Sequence, residues 1–168
     1  MKDTLDVLEL LEWQHDEVDQ LIEQLEGGRG DRAALFAELA DKIAAHAMVE
    51  EKIFYPSVMA PNTSELLHEF VEEHLTVKRL LADMMDMDPD DEDGEFDETL
   101  ALLKDELSRH AHDEEEGRLF PRLRRMMTED ERAGLGNEVL AAFESLIEQE
   151  PRRDVPRDTA EPAPLPPP

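Results

Sequence analysis

The chain has no cysteine among its 168 residues, which excludes disulfides, thiolate metal sites and thiol nucleophiles and is compatible with a reducing cytoplasm. Aromatic residues are scarce at 5%, with one tryptophan and one tyrosine. The 40% hydrophobic content therefore rests on Leu, Ala, Val and Met, which favours a helical bundle over a sandwich. The seven glycines cluster in a few places, and long segments pass without a breaker. No apolar run is long enough to span a bilayer. The opening MKDTLDVLELLEW mixes acidic residues with its leucines and offers no small-residue cleavage site, so it reads as part of the fold and not as a signal peptide. Basic residues are outnumbered, 17 against 44 acidic, for a formal net charge of -27. That balance opposes nucleic-acid and anionic-membrane partners, which need basic surface. It is also a large self-repulsion that salt screens. A salt-rich cytoplasm would account for it, as would an ordinary acidic surface, and bound cations would neutralise some of the carboxylates.

Hydrophobic periodicity divides the chain into five helices. The first, from Thr4 to Glu26, carries Leu8, Leu11, Val18, Ile22 and Leu25 on one stripe, with His15 on the same face. GGRG ends it, and Asp31 is placed to cap the next helix. The second runs from Arg32 to about Met59 along Leu35, Leu39, Ile43, His46, Glu50 and Phe54, with a kink or early stop expected at Pro56. Asn62 and Glu65 resemble a capping box for the third, Thr63 to Met87, whose stripe is Leu67, Phe70, His74, Val77 and Leu81. The acidic loop MDPDDEDGE leads to a fourth, Phe96 to Met127, with Leu100, Leu103, Leu107 and His110 on one face. Thr128 and Glu131 form a second capping-box candidate, opening a shorter helix to about Glu148 whose apolar face needs cover. Connections of roughly four to ten residues favour antiparallel neighbours. The expectation is an all-α, up-down-up-down four-helix bundle over residues 1–128, an additional C-terminal helix over 129–149 and a disordered proline-rich tail over 150–168.

Two runs carry the chemistry. HAMVEEKIFYP, His46 to Pro56, places a histidine and a glutamate four residues apart within an apolar stripe. HAHDEEEGRLFP, His110 to Pro121, repeats the order of histidine, glutamates, aromatic residue and proline. Residues four apart share a helix face, and neither group belongs in a dry core without a partner. His15 and His46 each lie roughly 13 to 16 residues from the GGRG turn, about 20 to 24 Å at the helical rise. His74 stands at a matching distance from the loops on either side, as does His110 from the acidic loop. Four histidines and two glutamates thus converge at one depth, where a lone histidine on an apolar stripe would read as a hydrogen-bonded core residue. Imidazole with carboxylate suits iron, zinc or manganese, and six ligands exceed what one tetrahedral zinc needs. Two metals bridged by glutamates satisfy the count.

The pattern of His15, HAMVEEKIFYP, the pair Glu73 and His74, and HAHDEEEGRLFP resembles the hemerythrin-like domains, the histidine-histidine-glutamate cation-binding family, over roughly residues 4 to 127. The resemblance implies a four-helix bundle with an oxo- or hydroxo-bridged di-iron centre that binds dioxygen, nitric oxide or peroxide. Carried over by position, the ligands are His15, His46, Glu50, His74, His110 and one glutamate of the 114 to 116 run. Counting from the upstream leucines by the HxxxE rule selects Glu114. Glu114 is the expectation, and counting back from Pro121 gives Glu115 as the alternate, with the extra residue absorbed by a π-bulge. His112 with Glu116 is a third pairing, off the leucine stripe. Oxygen-carrying hemerythrins have a further histidine four residues after that of the third helix. Lys78 stands there, so the chain looks like the microbial six-ligand subgroup.

Other residues carry smaller expectations. His68 reads as a surface histidine, and Glu51 and Glu73 as solvated or as outer partners of the ligands. Trp13, Phe54, Tyr55, Phe70 and Phe120 read as core packing able to line a pocket. The acidic stretch 86 to 98 lacks EF-hand spacing and reads as a solvated loop. Ferritin-type di-iron oxidases use ExxH and more carboxylate, whereas here the order is HxxxE and histidine dominates. That favours a cytoplasmic binding or sensing protein over a peroxide-decomposing or oxygen-reducing enzyme. Residues 129–148 would serve for a protein partner or a homodimer.

Overall fold

In the computed structural model residues 5–168 are described. The expected helix start at Thr4 lies outside them. The long helices begin where side chains meet the free N–H groups of a first turn. Asp6 accepts from the Leu8 N–H at 2.8 Å and opens α1 (Val7–Glu26). Asp31 accepts from Ala34 at 3.1 Å and opens α2 (Arg32–Val49). α2 runs on through a π-helical segment, Glu50–Phe54, into the short α3 (Tyr55–Ser57), which holds Pro56. The capping box expected from Asn62 and Glu65 does not form. The residue before α4 (Ser64–Met85) is Thr63, whose hydroxyl donates to the Val58 carbonyl at 2.8 Å and ties down the preceding turn instead. Gly94, at a φ of 76°, takes the left-handed conformation open to glycine and leads into α5 (Glu95–Ser108). A second π-helical segment, Arg109–Leu119, joins α5 to α6 (Phe120–Met126). Thr128 and Glu131 do form their reciprocal capping box, with bonds of 3.0 and 3.1 Å, at the start of α7 (Glu129–Ile147).

These elements build the expected bundle, with α1 packed on α2 and α4 on α5. No strand and no helix long and apolar enough to cross a membrane occurs among the described residues. α7 finds its cover within the chain, against α1, α2 and the first π segment. Gly136 marks the closest approach there, since a Cβ at that position would sit 1.8 Å from the Leu5 carbonyl oxygen.

The tail departs from the disorder expected of it. Pro151–Asp158 winds into a 3-10 helix against α2 and α4, with Val155 only 4% exposed. Anchors that proline density does not reveal hold it. Arg152 grips Asp41 through its backbone N–H at 3.0 Å and its guanidinium at 2.7 Å. Arg79 donates to the carbonyls of Thr159 and Ala160 at 3.0 and 3.4 Å.

The apolar core is divided in two. One cluster gathers around Leu11, Phe54, Phe70 and Phe120, the other around Ile22, Leu39, Leu81 and Leu100. On each of the four rods the embedded histidine falls between the residues given to one cluster and those given to the other. A polar layer therefore crosses the middle of the bundle, and the hydrophobic burial on either side holds it in place.

Candidate metal centre

His15, His74 and His110 are buried, His46 is nearly so, and Glu50 and Glu115 are 0% exposed. The His15 and His46 rings meet edge-on with centroids 4.9 Å apart, and those of His74 and His110 at 4.6 Å. Their Nε2 atoms face inward. His15 Nε2 lies 3.2 Å from Glu115 Oε1, and His46 Nε2 lies 3.2 Å from Glu50 Oε1. His74 Nε2 lies 3.1 Å from Glu50 Oε1 and 3.0 Å from His110 Nε2, which is 3.5 Å from Glu115 Oε2. The ligand-capable atoms form two groups, each within a span of 4.8 Å: His15, His46, Glu50 and Glu115, and then Glu50, His74 and His110. Glu50 belongs to both.

The outward nitrogens are all engaged. Nδ1 of His15 donates to Glu116 at 2.6 Å, that of His46 to Gln14 at 2.6 Å, that of His74 to Glu51 at 2.7 Å and that of His110 to Glu73 at 2.7 Å. An acceptor on Nδ1 fixes the tautomer, leaves the Nε2 lone pair pointing at the centre and orients the ring. Glu51 and Glu73 thus serve as these outer partners, and Lys78 and Arg109 hold them in turn at 2.9 and 2.7 Å.

Of the two glutamates, Glu115 enters the buried layer and Glu114 does not. Glu114 points outward and accepts from Arg118 at 2.6 Å on the surface. The HxxxE rule fails because it assumes α-helical spacing. The stretch Arg109–Leu119 is π-helical, and i→i+5 bonding brings residues five apart onto one face. The first motif keeps its four-residue interval because His46 still lies in α2, with the π segment beginning only at Glu50. His112 lies beside the centre, bonded to Asp19 at 2.8 Å and 3.1 Å from Glu116.

Buried charge sets the proton balance. Burial alone would lower the His15 pKa, but Glu115 and Glu116 outweigh it and raise it to about 9. Burial is likewise outweighed at His110, where Glu50 and Glu73 raise the value to about 10, and at His74, raised by Glu50 and Glu51. Burial would raise Glu50, yet the imidazoles hold it well below the ordinary carboxylate value. Glu115 is pushed up, by burial and by the charge of Glu50. Tyr55 was not singled out from the other aromatics by its spacing, but it sits in the centre. Its hydroxyl donates to Glu115 Oε2 at 2.5 Å and stands 3.2 Å from Glu50 and 3.4 Å from His74 Nε2. Burial and the two carboxylates push its pKa well up.

Of the buried atoms without a hydrogen-bond partner among the described residues, four face the centre: His15 Nε2, His46 Nε2, Glu50 Oε2 and Glu115 Oε1. Their mutual distances are short, but the alignment is not that of hydrogen bonds. Orphaned buried atoms of this kind are expensive in a protein core. Imidazole lone pairs and carboxylate oxygens converging on one spot are what a divalent or trivalent cation satisfies. Gln14, off the apolar stripes, carries no signal in the sequence, and Glu116, expected only beside His112, also binds His15. Trp13 is 57% exposed and packs in no core; counted from Leu11 and His15 it falls on the outer face of α1. His68 is at the surface, bonded to the Ser64 carbonyl at 2.7 Å. In the acidic loop Asp88, Asp91 and Asp93 accept from backbone N–H groups two residues on, as turn residues do.

An all-α bundle whose middle layer gathers buried histidines and glutamates able to bind metal defines a cation-binding helical domain. The model of the hemerythrin HHE cation binding domain matches residues 6–123. The chain belongs to that family. Its fold is similar to the crystal structure of a hemerythrin HHE cation binding domain-containing protein from Mycobacterium kansasii, at a TM-score of 0.75 and 23% identity, covering 86% of this chain and 89% of that one. No curated protein matches the chain.

Proposed function

We propose that the chain is a di-iron protein that binds or senses dioxygen or a related small molecule such as nitric oxide or peroxide. The observation that carries this reading is the pair of buried donor groups sharing Glu50, with each histidine ring oriented toward the centre by a hydrogen bond on its far side. His15 and His46 would hold one ion, His74 and His110 the other, and Glu50 and Glu115 both. A single tetrahedral zinc would leave donors unused. Bound iron would supply redox change and an exchangeable coordination position. The side chains do the rest: Gln14, Glu51, Glu73 and Glu116 orient the imidazoles, and the two apolar clusters keep bulk water away.

Tyr55 favours a second reading, a peroxide-decomposing enzyme. A phenol whose pKa is pushed well up stays protonated at neutral pH, so it is a proton donor beside the carboxylates. Iron-loaded protein is expected to hold about two irons per chain and to show charge-transfer absorption that responds to oxygen or reductant, lost in His46→Ala and His110→Ala. One zinc per chain, or no metal uptake and unchanged stability in chelator, would refute the di-iron assignment. Peroxide turnover far above that of His110→Ala would select the enzyme.

A further inference from the structure

α2 and α4 make few direct contacts with each other, and the Pro151–Asp158 helix packs against both. It fills the seam between the rods that carry His46 and His74. A small space there is bordered by His46, His74 and His110 and, from the C-terminal segment, by Pro151, Val155 and Asp158. On this side the polar layer is therefore covered by the tail and not by a rod of the bundle. His46 is the most open of the four histidines, its side chain 12% exposed against 4% for each of the others.

The cover is held differently from the rods. Each rod contributes a buried apolar stripe and can leave only if the core opens, whereas in the tail only Pro151 and Val155 are buried. Beyond them the partly buried Ala163 and Leu165 touch the core. The rest of the hold is polar. Asp41 accepts from the Arg152 backbone and guanidinium, and Arg79 grips the Thr159 and Ala160 carbonyls. The chain enters the segment through Glu150 at a φ of 51°, the one non-glycine residue with positive φ among the described residues. That conformation costs any residue with a Cβ, so the polar grips hold the segment against a strained turn. Few buried apolar contacts and a strained entry mark a local unit that opens while the rest of the fold stays closed.

We propose that residues 150–160 are a latch over the seam between α2 and α4, and that its opening, with the four rods still packed, sets the rate at which a cation enters and leaves the centre. Asp41 is the catch that holds it shut. The proposal rests on a centre that holds metal and adds to that reading the route by which metal reaches it.

In the test, the full chain is loaded with iron(II) in the absence of oxygen and mixed with an excess of a chromophoric chelator, and release is followed in time. Asp41→Ala removes both bonds of the catch while alanine keeps α2 helical. It is expected to hold the wild-type iron content and to release it about tenfold faster, the size of one charge-assisted hydrogen bond. Arg79→Met loosens the latch from its other end and should speed release about threefold. Leu123→Ala opens a cavity in the apolar cluster to which Val155 does not belong. It should lower the melting temperature yet leave release within about twofold of wild type, because release tracks the opening of the latch and not of the core. Hydrogen exchange of the metal-free full chain gives a second readout: Asp41→Ala should deprotect residues 151–160 about tenfold and leave α1 and α5 unchanged. Release as fast in Leu123→Ala as in Asp41→Ala would overturn the latch, as would an Asp41→Ala chain whose tail is deprotected but whose release is that of the wild type. A wild type that takes up no iron would overturn the di-iron reading, and the same release series with zinc(II) then decides the latch; a chain that binds neither metal overturns both.

Discussion

Loading the centre with metal has to displace protons, and the perturbed histidines set how many. At pH 7 His15, with its pKa near 9, and His110, near 10, both carry the proton that a metal must replace. Removing them spans about two and about three pH units, at about 1.4 kcal/mol per unit, or about 7 kcal/mol together. Apparent metal affinity should therefore rise by about five powers of ten between pH 7 and pH 10. The slope of log affinity against pH should be near two up to pH 9 and near one beyond it. His74, whose pKa is also raised, can only steepen the rise. The assay is competition of iron(II) or zinc against a chromophoric chelator across a pH series, with a pH-stat measuring release directly. At least two protons per chain should appear on loading at pH 7. Release below one proton, or an affinity flat between pH 7 and 9, would refute the account of a carboxylate-held, protonated histidine layer in the metal-free protein.

The remaining predictions concern stability and the identity of individual groups. In the metal-free protein His15 and His110 have raised pKa values, so their stabilisation is present in full below pH 6.5 and lost as pH climbs through about 9 and about 10. Glu50, depressed, contributes above pH 4.5 and ceases to as pH falls through its lowered value; unfolding free energy should thus fall above pH 7 through the histidines, by about 3 kcal/mol for His15 alone, and in acid through Glu50, both read from denaturant titrations across pH. Glu115→Gln should reduce metal content measured by elemental analysis, whereas Glu114→Gln, which removes only a surface pairing with Arg118, should leave it unchanged. Tyr55→Phe takes the donor from Glu115 and should destabilise the metal-free protein by about 1 to 3 kcal/mol in denaturant titration. Gly136→Ala drives a methyl group into the Leu5 carbonyl and should lower stability by about 1 to 3 kcal/mol, read as a drop in melting temperature.

The parts of the centre that lie on regular helix were legible in the sequence. His15, His46, His74 and His110 each interrupt an apolar stripe, and their equal distances from the loops follow from the constant rise of a helix. The structure puts all four in one layer, and the caps at Asp31 and Thr128 are where the sequence places them. What stayed hidden depends on contacts between segments far apart in the chain. Gln14 is one residue from His15 but reaches His46 on the neighbouring helix. Tyr55 looks like another core aromatic until the two motifs face each other and its hydroxyl meets Glu115. The tail reads as extended because proline content is a local signal, while its order comes from Asp41 and Arg79, more than seventy residues away.

The register of the second motif turns on backbone geometry. Both π segments stop one residue short of a Xaa-Pro step, at Phe54 before Tyr55 and Pro56 and at Leu119 before Phe120 and Pro121. In an α-helix a proline loses its own hydrogen bond and crowds the carbonyl four residues back. A widened turn is one way to relieve that crowding, and here the last N–H before each proline bonds five residues back, Tyr55 to Glu50 and Phe120 to Glu115. Those two acceptors are the buried glutamates themselves. The carbonyl that takes the wide bond thus belongs to the residue whose side chain enters the centre, so the proline and the carboxylate are tied through one peptide group. Between His110 and Pro121 there is one residue more than between His46 and Pro56, and the longer π segment takes it up. Pro121 therefore fixes Glu115 in the site from the C-terminal side, against the α-helical count from His110 that would have chosen Glu114.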